Sequence, residues 1–266
     1  MAYVLNRDAR IYWDEAGSGA PVLMIMGLSF THEMWFRIAP AVAAKYRMIA
    51  FDNRGMGRSD VPRGPYTIAR MASDARAVLD AAGVESAHVV GASMGGMIAQ
   101  ELTLRYPERV RSLILGCTTS RGLFGKWPEF RHAPRQWDSD RIERERSLRP
   151  LLYAKATRDE LIEEDLRVRC GCTWSYKGFL NQFAGILMWS AYRRLPRIAA
   201  PTMVVHGDED RLVPPENGRV LCSRIRGARF ELIRGAGHVL VTDQPKRSIE
   251  LIRDFLGQQE RRKAAA

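Results

Sequence analysis

Three residues far apart in the chain have the types and settings of a nucleophile, a base and an orienting acid: Ser93, His238 and Asp210. Ser93 is the centre of Gly91-Ala92-Ser93-Met94-Gly95, which follows the apolar pair Val89-Val90 and precedes a helical pattern running to Tyr106. By composition a Gly-x-Ser-x-Gly pentapeptide arises by chance in roughly one chain of this size in ten. Its place between a strand and a helix therefore carries the weight. A turn that tight leaves no room for side chains at positions 91 and 95 and pushes the serine out at the top of a sheet. The serine also sits at the positive end of a helix, where backbone N–H groups favour developing negative charge.

A serine hydroxyl is a poor nucleophile until a base takes its proton and an acid orients that base. His238 closes the glycine-rich stretch Gly235-Ala236-Gly237-His238, just past the last strand pattern, where a catalytic imidazole can be presented. The other histidines are set differently: His88 and His206 fall within or at the end of strands, and His132 lies in a long insert. His32 follows the first long strand and is expected to line the entrance of a substrate pocket. After the strand Thr202–Gly207 come three carboxylates, Asp208, Glu209 and Asp210, of which Asp210 is taken as the acid. The order Ser93, Asp210, His238 differs from that of the other serine-protease architectures and is the one expected on a strand–turn–helix nucleophile. The chemistry is acyl transfer, and activity should fall as the pH drops through about 6–7, where an ordinary imidazole takes a proton.

Short apolar, β-branched runs alternating with helical patterns must position these groups, which predicts an α/β protein with a mostly parallel sheet. The strands are predicted at Tyr3–Leu5, Ile11–Asp14, Val22–Met26, Tyr46–Asp52, Ser86–Gly91, Arg111–Cys117, Thr202–Gly207 and Arg229–Arg234. Helices are predicted over Thr31–Ala44, Ile68–Ala82, Gly95–Tyr106, Pro215–Ser223 and Gln244–Leu256 from apolar residues three and four apart. Thr67 and Gly83 read as start and stop signals of the second.

The alternation breaks off near Thr119 and resumes near Ala199, leaving roughly 75 residues, too many for a connecting loop. The chain is therefore divided into a core, 1–120 and 196–266, and a helical lid over 121–195. The lid carries Trp127, Trp137, Trp174 and Trp189, and Phe179, Phe183, Ile186 and Leu187 fall on one helical face. Gly27, His32, Leu187 and Trp189 are expected to bind substrate, and the aromatic lid suggests an apolar or aromatic group.

Several of these segments together resemble the α/β-hydrolase superfamily, particularly its small esterase and 3-oxoadipate enol-lactonase-like branch. Besides Gly91–Gly96, the stretch Phe51–Ser59 is similar to that family's Asp-x-Arg-Gly-x-Gly-x-Ser loop. Pro201–Pro214 resembles its acid loop, whose last aspartate matches Asp210, and Gly235–His238 matches its histidine loop. The resemblance implies the α/β-hydrolase fold and cleavage of a small carboxylic ester or lactone through an acyl-enzyme on Ser93, with no metal or organic cofactor. It also implies an oxyanion hole made by the backbone N–H groups of Met94 and of Leu28 in Met26-Gly27-Leu28, where Met26 replaces the common histidine. A serine at the elbow argues against dehalogenase and epoxide-hydrolase chemistry, which use an aspartate there. The same triad serves perhydrolases, carbon–carbon bond hydrolases and lyases, and a small-molecule receptor can keep such a pocket, so these are the alternatives.

The net charge of +11 raises the question of a polyanionic partner. The basic residues are scattered, however, and between Arg121 and Arg169 they alternate with Glu129, Asp138, Glu143 and the run Glu163-Glu164-Asp165, which reads as a solvated face. Neither nucleic acid nor membrane is expected as a partner. Charges at Arg7, Asp8 and Arg10 stand where a signal peptide needs an apolar core, which predicts a cytoplasmic protein. Cys117, Cys170, Cys172 and Cys222 lack zinc or redox spacing and are read as thiols. Oligomeric state is open at this level.

Overall fold

A computed structural model describes residues 2–122 and 141–264. Eight strands form one sheet: β1 (Ala2–Asn6), β2 (Ala9–Ala16), β3 (Pro21–Ile25), β4 (Arg47–Phe51), β5 (Ala87–Ala92), β6 (Val110–Gly116), β7 (Thr202–Gly207) and β8 (Arg229–Ile233). Their spatial order is β1-β2-β4-β3-β5-β6-β7-β8. The opening hairpin and its junction with β4 are antiparallel, and the remaining pairs are parallel. β7 is buried along its whole length and β3 nearly so. Such continuous apolar runs mark parallel strands covered on both faces.

Helices α2 (Ile68–Ala81) and α3 (Met94–Arg105) cover one face, around Leu23, Ile49, Val89 and Leu113. The short α1 (Ala39–Ala43) and the long α10 (Pro245–Ala264) cover the other, around Met24, Val90, Ile114 and Val205. α2 starts where the Thr67 hydroxyl accepts from Arg70 N–H, 3.1 Å away, and Gly83 follows it with φ +66°. α8 (Glu216–Arg224) and the single turn α9 (Leu240–Asp243) flank β8.

Two predicted helices differ from the observed ones. The segment Thr31–Ala44 is a 3-10 turn at His32–Trp35 followed by α1, not one helix. Pro40 has no N–H and its ring clashes with a helical carbonyl four residues back, while the His32 N–H is drawn away to Asp52 at 2.9 Å. The last helix extends well past Leu256: its apolar packing residues Leu251, Ile252, Phe255 and Leu256 end there, but the next turn buries Gln259 and brings Glu260 Oε1 to 2.8 Å from Nε2 of buried His88, contacts that an apolar pattern does not register. None of the described helices is long and apolar enough to cross a membrane, and the four cysteines are free.

Between β6 and β7 the described chain forms α4 (Arg141–Ser147), α5 (Arg149–Leu152), α6 (Asp159–Gly171) and α7 (Tyr176–Leu187). Trp127, His132 and Trp137, assigned to the lid above, lie outside the described residues. Buried Asp165 of α6 ties this layer down: Arg37 Nε and Nη2 donate to its Oδ1 at 3.1 and 2.9 Å. Tyr153 and Thr242 hydroxyls donate to its Oδ2 at 3.0 and 2.7 Å.

Candidate active site

The chain runs from β3 to β4 on one side and then crosses to β5 on the other, so β3 and β5 are neighbours at a topological switch point. A crevice opens there beyond the carboxyl ends of the strands. Parallel register pairs Ile25 with Gly91, which sets Gly27 opposite Ser93 two residues further along. A Cβ built on Gly27 would lie 3.0 Å from the Ser93 Cβ, so any larger residue would press the two loops apart.

Ser93 has φ +55° and ψ −121°, a conformation rare for any residue with a side chain and one that costs of order 1–3 kcal/mol. The surroundings hold it. Ser93 N–H donates to Gly116 O at 2.8 Å, and Thr118 Oγ1 donates to Ser93 O at 2.6 Å. A side chain on Gly95 would collide with the Ile25 and Met26 carbonyls, and one on Gly91 with the Gly95 carbonyl. The strained turn is thus wedged between β3 and β6, with its serine facing the crevice.

Asp210 and His238 come from the loops after the neighbouring strands β7 and β8. The Asp210 carboxylate is fully buried; its Oδ1 accepts from Leu212 N–H at 3.0 Å and Val213 N–H at 2.8 Å. Its Oδ2 faces His238 Nδ1 at 2.9 Å. Because a carboxylate can only accept, the proton sits on Nδ1 and leaves Nε2 with its lone pair. Asp208 and Glu209 are engaged elsewhere: Asp208 Oδ1 accepts from Gly235 N–H at 2.8 Å, and Glu209 Oε2 from Lys155 N–H at 3.0 Å. Ser93 and His238 line the same cavity; no hydrogen bond joins them among the described residues. Such contacts are often long until substrate enters.

The histidine loop has a support that sequence reasoning missed. Asp243 Oδ2 accepts from Gly237 N–H at 2.6 Å and Ala154 N–H at 3.3 Å, and its Oδ1 accepts from the Thr157 hydroxyl at 2.5 Å. It clips the loop before His238 to the lid. Burial raises its carboxyl above the usual range, against these donors. A carboxylate five residues after the histidine carries no distinctive local signal.

Leu28 N–H and Met94 N–H have no hydrogen-bond partner among the described residues, and both residues border the cavity. Met94 heads α3, so its amide is one of the helix's orphan donors. The Leu28 loop is held from two sides. Buried Asn53 donates from Nδ2 to Met26 O at 2.9 Å, and buried Gln182 of α7 accepts from Ser29 N–H at 3.1 Å while donating to Arg54 O at 2.9 Å. Ser29 itself has φ +58°. Gln182 was also invisible in the sequence, where it interrupts the apolar face of its helix.

The cavity measures about 580 Å³ and is overwhelmingly apolar. Gly27 and Leu187 border it, together with Phe179, Phe183 and Ile186 of α7. His32 and Trp189 do not, which corrects the expectation for both. Asp52 holds His32 through Nδ1 at 2.8 Å and its N–H, turning the ring back toward the 52–59 loop. Trp189 packs in the core below α3, its Nε1 donating to Glu101 Oε2 at 2.8 Å. An indole with a buried carboxylate in reach is satisfied there and has no cause to face a cavity. The 52–59 loop is structural throughout: its buried Arg54 pairs with Asp74 at 2.6 and 2.7 Å.

His206, one residue before the end of β7, is fully buried, and neither ring nitrogen finds a hydrogen-bond partner among the described residues. Desolvation pushes its pKa down to about 4, so the ring is neutral beside Asp210 and His238. Cys117 lies against Asp210 and His238 and also borders the cavity; its Sγ, the Asp210 carboxylate and the His238 ring come within 4.8 Å of one another. Burial, first, and the Asp210 charge push this thiol well above the usual range, so it is a protonated spacer and a poor nucleophile.

This geometry agrees with the company the chain keeps. It is 32% identical over 264 residues to a protein of Azorhizobium caulinodans assigned as the carbamate hydrolase RutD, covering 97% of this chain and 99% of that one. It is 32% identical over 270 residues to the 2-hydroxy-6-oxo-6-phenylhexa-2,4-dienoate hydrolase of Comamonas testosteroni, covering 94% and 92%. Among solved structures, a thermophilic esterase from Thermogutta terrifontis superposes with a TM-score of 0.85 at 26% identity, over 97% of this chain and 98% of that one. These three carry hydrolase or esterase names, and residues 20–245 match the family model of the alpha/beta hydrolase fold: the chain belongs to the α/β-hydrolase family.

Proposed function

We propose that this protein hydrolyses a carboxylic ester or lactone of a small, largely apolar substrate through an acyl-enzyme on Ser93. The observation that carries the reading is the strained, outward Ser93 sharing a cavity with His238, whose Nδ1 is held by the buried Asp210. Ser93 Oγ attacks the carbonyl carbon as His238 Nε2 takes its proton, and Asp210 stabilises the imidazolium that forms. The Leu28 and Met94 N–H groups accommodate the oxyanion; loss of one such donor typically costs about 10²–10³ in rate. The imidazolium then protonates the leaving alkoxide. Water enters and its oxygen attacks the acyl carbon as the same nitrogen takes its proton; the bond to Ser93 Oγ then breaks, the imidazolium returns the proton to that oxygen, and the acid is released.

The wall chemistry supports an apolar acyl or alcohol group, since the cavity falls within the roughly 300–1,000 Å³ range of small-molecule sites. The esterase likeness supports the reaction type. Carbon–carbon bond hydrolysis is the second reading, favoured by the relative whose named substrate is a keto acid and not an ester. The test is hydrolysis of a short-to-medium p-nitrophenyl ester series by the wild type and Ser93→Ala, with mass spectrometry after a fluorophosphonate probe. Turnover and labelling should both vanish in the variant. Labelling without ester turnover moves the assignment to carbon–carbon cleavage, and a wild type that does neither refutes the nucleophile.

A further inference from the structure

Gly237 and Val239 flank His238, and the backbone N–H of each is turned to the lid, one directly and one through Asp243. Val239 N–H donates to Leu152 O at 2.9 Å. Gly237 N–H donates to Asp243 Oδ2 at 2.6 Å, and the same carboxylate accepts from Ala154 N–H at 3.3 Å and from the Thr157 hydroxyl at 2.5 Å. The acid loop meets this stretch too: Lys155 N–H donates to Glu209 Oε2 at 3.0 Å, one residue before Asp210. A Cβ on Gly237 would lie 2.7 Å from the Tyr153 carbonyl carbon and 2.9 Å from Ala154 N, so the two backbones touch. Residues 152–157, where α5 ends, thus form a splint along both loops. Its footing is Asp165, whose Oδ2 accepts from Tyr153 and from Thr242, the neighbour of Asp243. The core holds carbonyls of the histidine loop, Ala236 O from Glu209 N–H and Val239 O from Thr242 N–H, both at 2.9 Å.

We propose that Asp243 is a positioning residue: with the splint 152–157 it sets where the His238 ring stands, so that Nε2 meets Ser93 Oγ in register only while this part of the lid is docked. This rests on the serine-hydrolase reading and adds a piece of the lid to its machinery. The Asp210 contact fixes the tautomer and tilt of the ring, but the backbone that carries the ring is fixed by its own bonds. The Gly237 N–H bond to a carboxylate is charge-assisted and belongs to the strong kind. Reacting groups must stand within about half an ångström of the productive geometry, and a misplacement of about 1 Å costs on the order of a hundredfold in rate.

The test compares Asp243→Ala, Asp243→Asn and Thr157→Val on a p-nitrophenyl ester, with competent sites counted by exhaustive fluorophosphonate labelling so that kcat is read per site. Asp243→Ala should lower kcat and the rate of Ser93 labelling together, by about tenfold to a hundredfold. Neither Asp243 nor Thr157 borders the cavity, so KM should stay within about threefold. Asp243→Asn should restore most of the loss: its amide oxygen still accepts from Gly237 and Ala154 N–H, and its NH2 donates to the Thr157 hydroxyl once that group rotates. Thr157→Val removes one bond between Asp243 and the splint and should lower kcat about twofold to tenfold. A kcat per competent site within twofold of wild type in Asp243→Ala, whatever its Tm, overturns the proposal, as does a loss in Asp243→Asn equal to that in Asp243→Ala, or a loss carried by KM. If Asp243→Ala does not fold, Thr157→Val decides, an unchanged kcat overturning the proposal. In each of these cases Ser93 stays the nucleophile. A wild type that neither turns over nor labels overturns the serine-hydrolase reading and this one with it.

Discussion

Gln182 gives the sharpest test of how the lid takes part in the chemistry. Its side chain is the sole described partner of the Ser29 N–H, one residue beyond the candidate oxyanion donor Leu28, and it also binds Arg54 O from the same buried position. Gln182→Leu keeps the volume and removes both bonds. Two backbone groups, the buried Arg54 carbonyl and the half-buried Ser29 N–H, are then left unpaired at up to about 1–3 kcal/mol each. With Tm moving by roughly 2–4 °C per kcal/mol for a chain of this size, a fall of roughly 4–24 °C follows. Ser29, already at φ +58°, is then free to relax and to carry the Leu28 amide away from the oxyanion position. Full loss of one donor costs about 10²–10³, so kcat on a p-nitrophenyl ester should drop from about tenfold up to that limit. KM should change little, because the bond is made only in the transition state. Steady-state kinetics beside a thermal melt decide it. A variant with lowered Tm and kcat within threefold of wild type would show that Gln182 holds the lid and not the oxyanion loop.

The remaining predictions concern the triad, acid stability and the 52–59 loop. Asp210→Asn places an amide N–H against His238 Nδ1, forces the other tautomer, and should lower kcat by about 10⁴ with little change in Tm; a loss under tenfold would remove Asp210 from the mechanism. For His206 the folded pKa of about 4 lies below the ordinary 6.5, so the unfolded chain takes its proton first. Stability is whole above pH 6.5 and is lost as the pH falls toward 4, by about 3 kcal/mol from this ring alone. Thermal melts from pH 7 to 4 should therefore show a shallower decline in His206→Gln than in wild type, and parallel curves would contradict the assignment. Asp74→Asn leaves the buried Arg54 charge without its main partner and should cost about 3–5 kcal/mol in urea unfolding; a change under 1 kcal/mol would mean that Arg54 relaxes to Asp8.

The fold was legible because its signals are local. Val22–Met26, Val89–Gly91 and Thr202–Gly207 are apolar runs of strand length separated by helical periodicity, and that alternation leaves few arrangements other than a parallel sheet. The helix expected over Thr31–Ala44 was misread because the pattern counts apolar residues and ignores what Pro40 and a distant carboxylate do to the backbone. Trp189 and His32 were expected at the pocket by residue type, yet type does not show which partner is in reach. Glu101 claims one and Asp52 the other.

By itself the sequence determined the α/β class, the strand–turn–helix setting of Ser93 and the candidates for base and acid, since each depends on neighbours within a few positions. Only the tertiary structure decided that Asp210 faces His238 while Asp208 and Glu209 turn to Gly235 and Lys155. It alone brought Gln182 to Ser29 across 153 positions, Asp243 to Ala154 across 89, and Arg169 to Glu145 across 24. The reason is physical: a buried polar side chain goes where its missing partner is, and that partner is supplied by chain crossings that leave no trace in local periodicity.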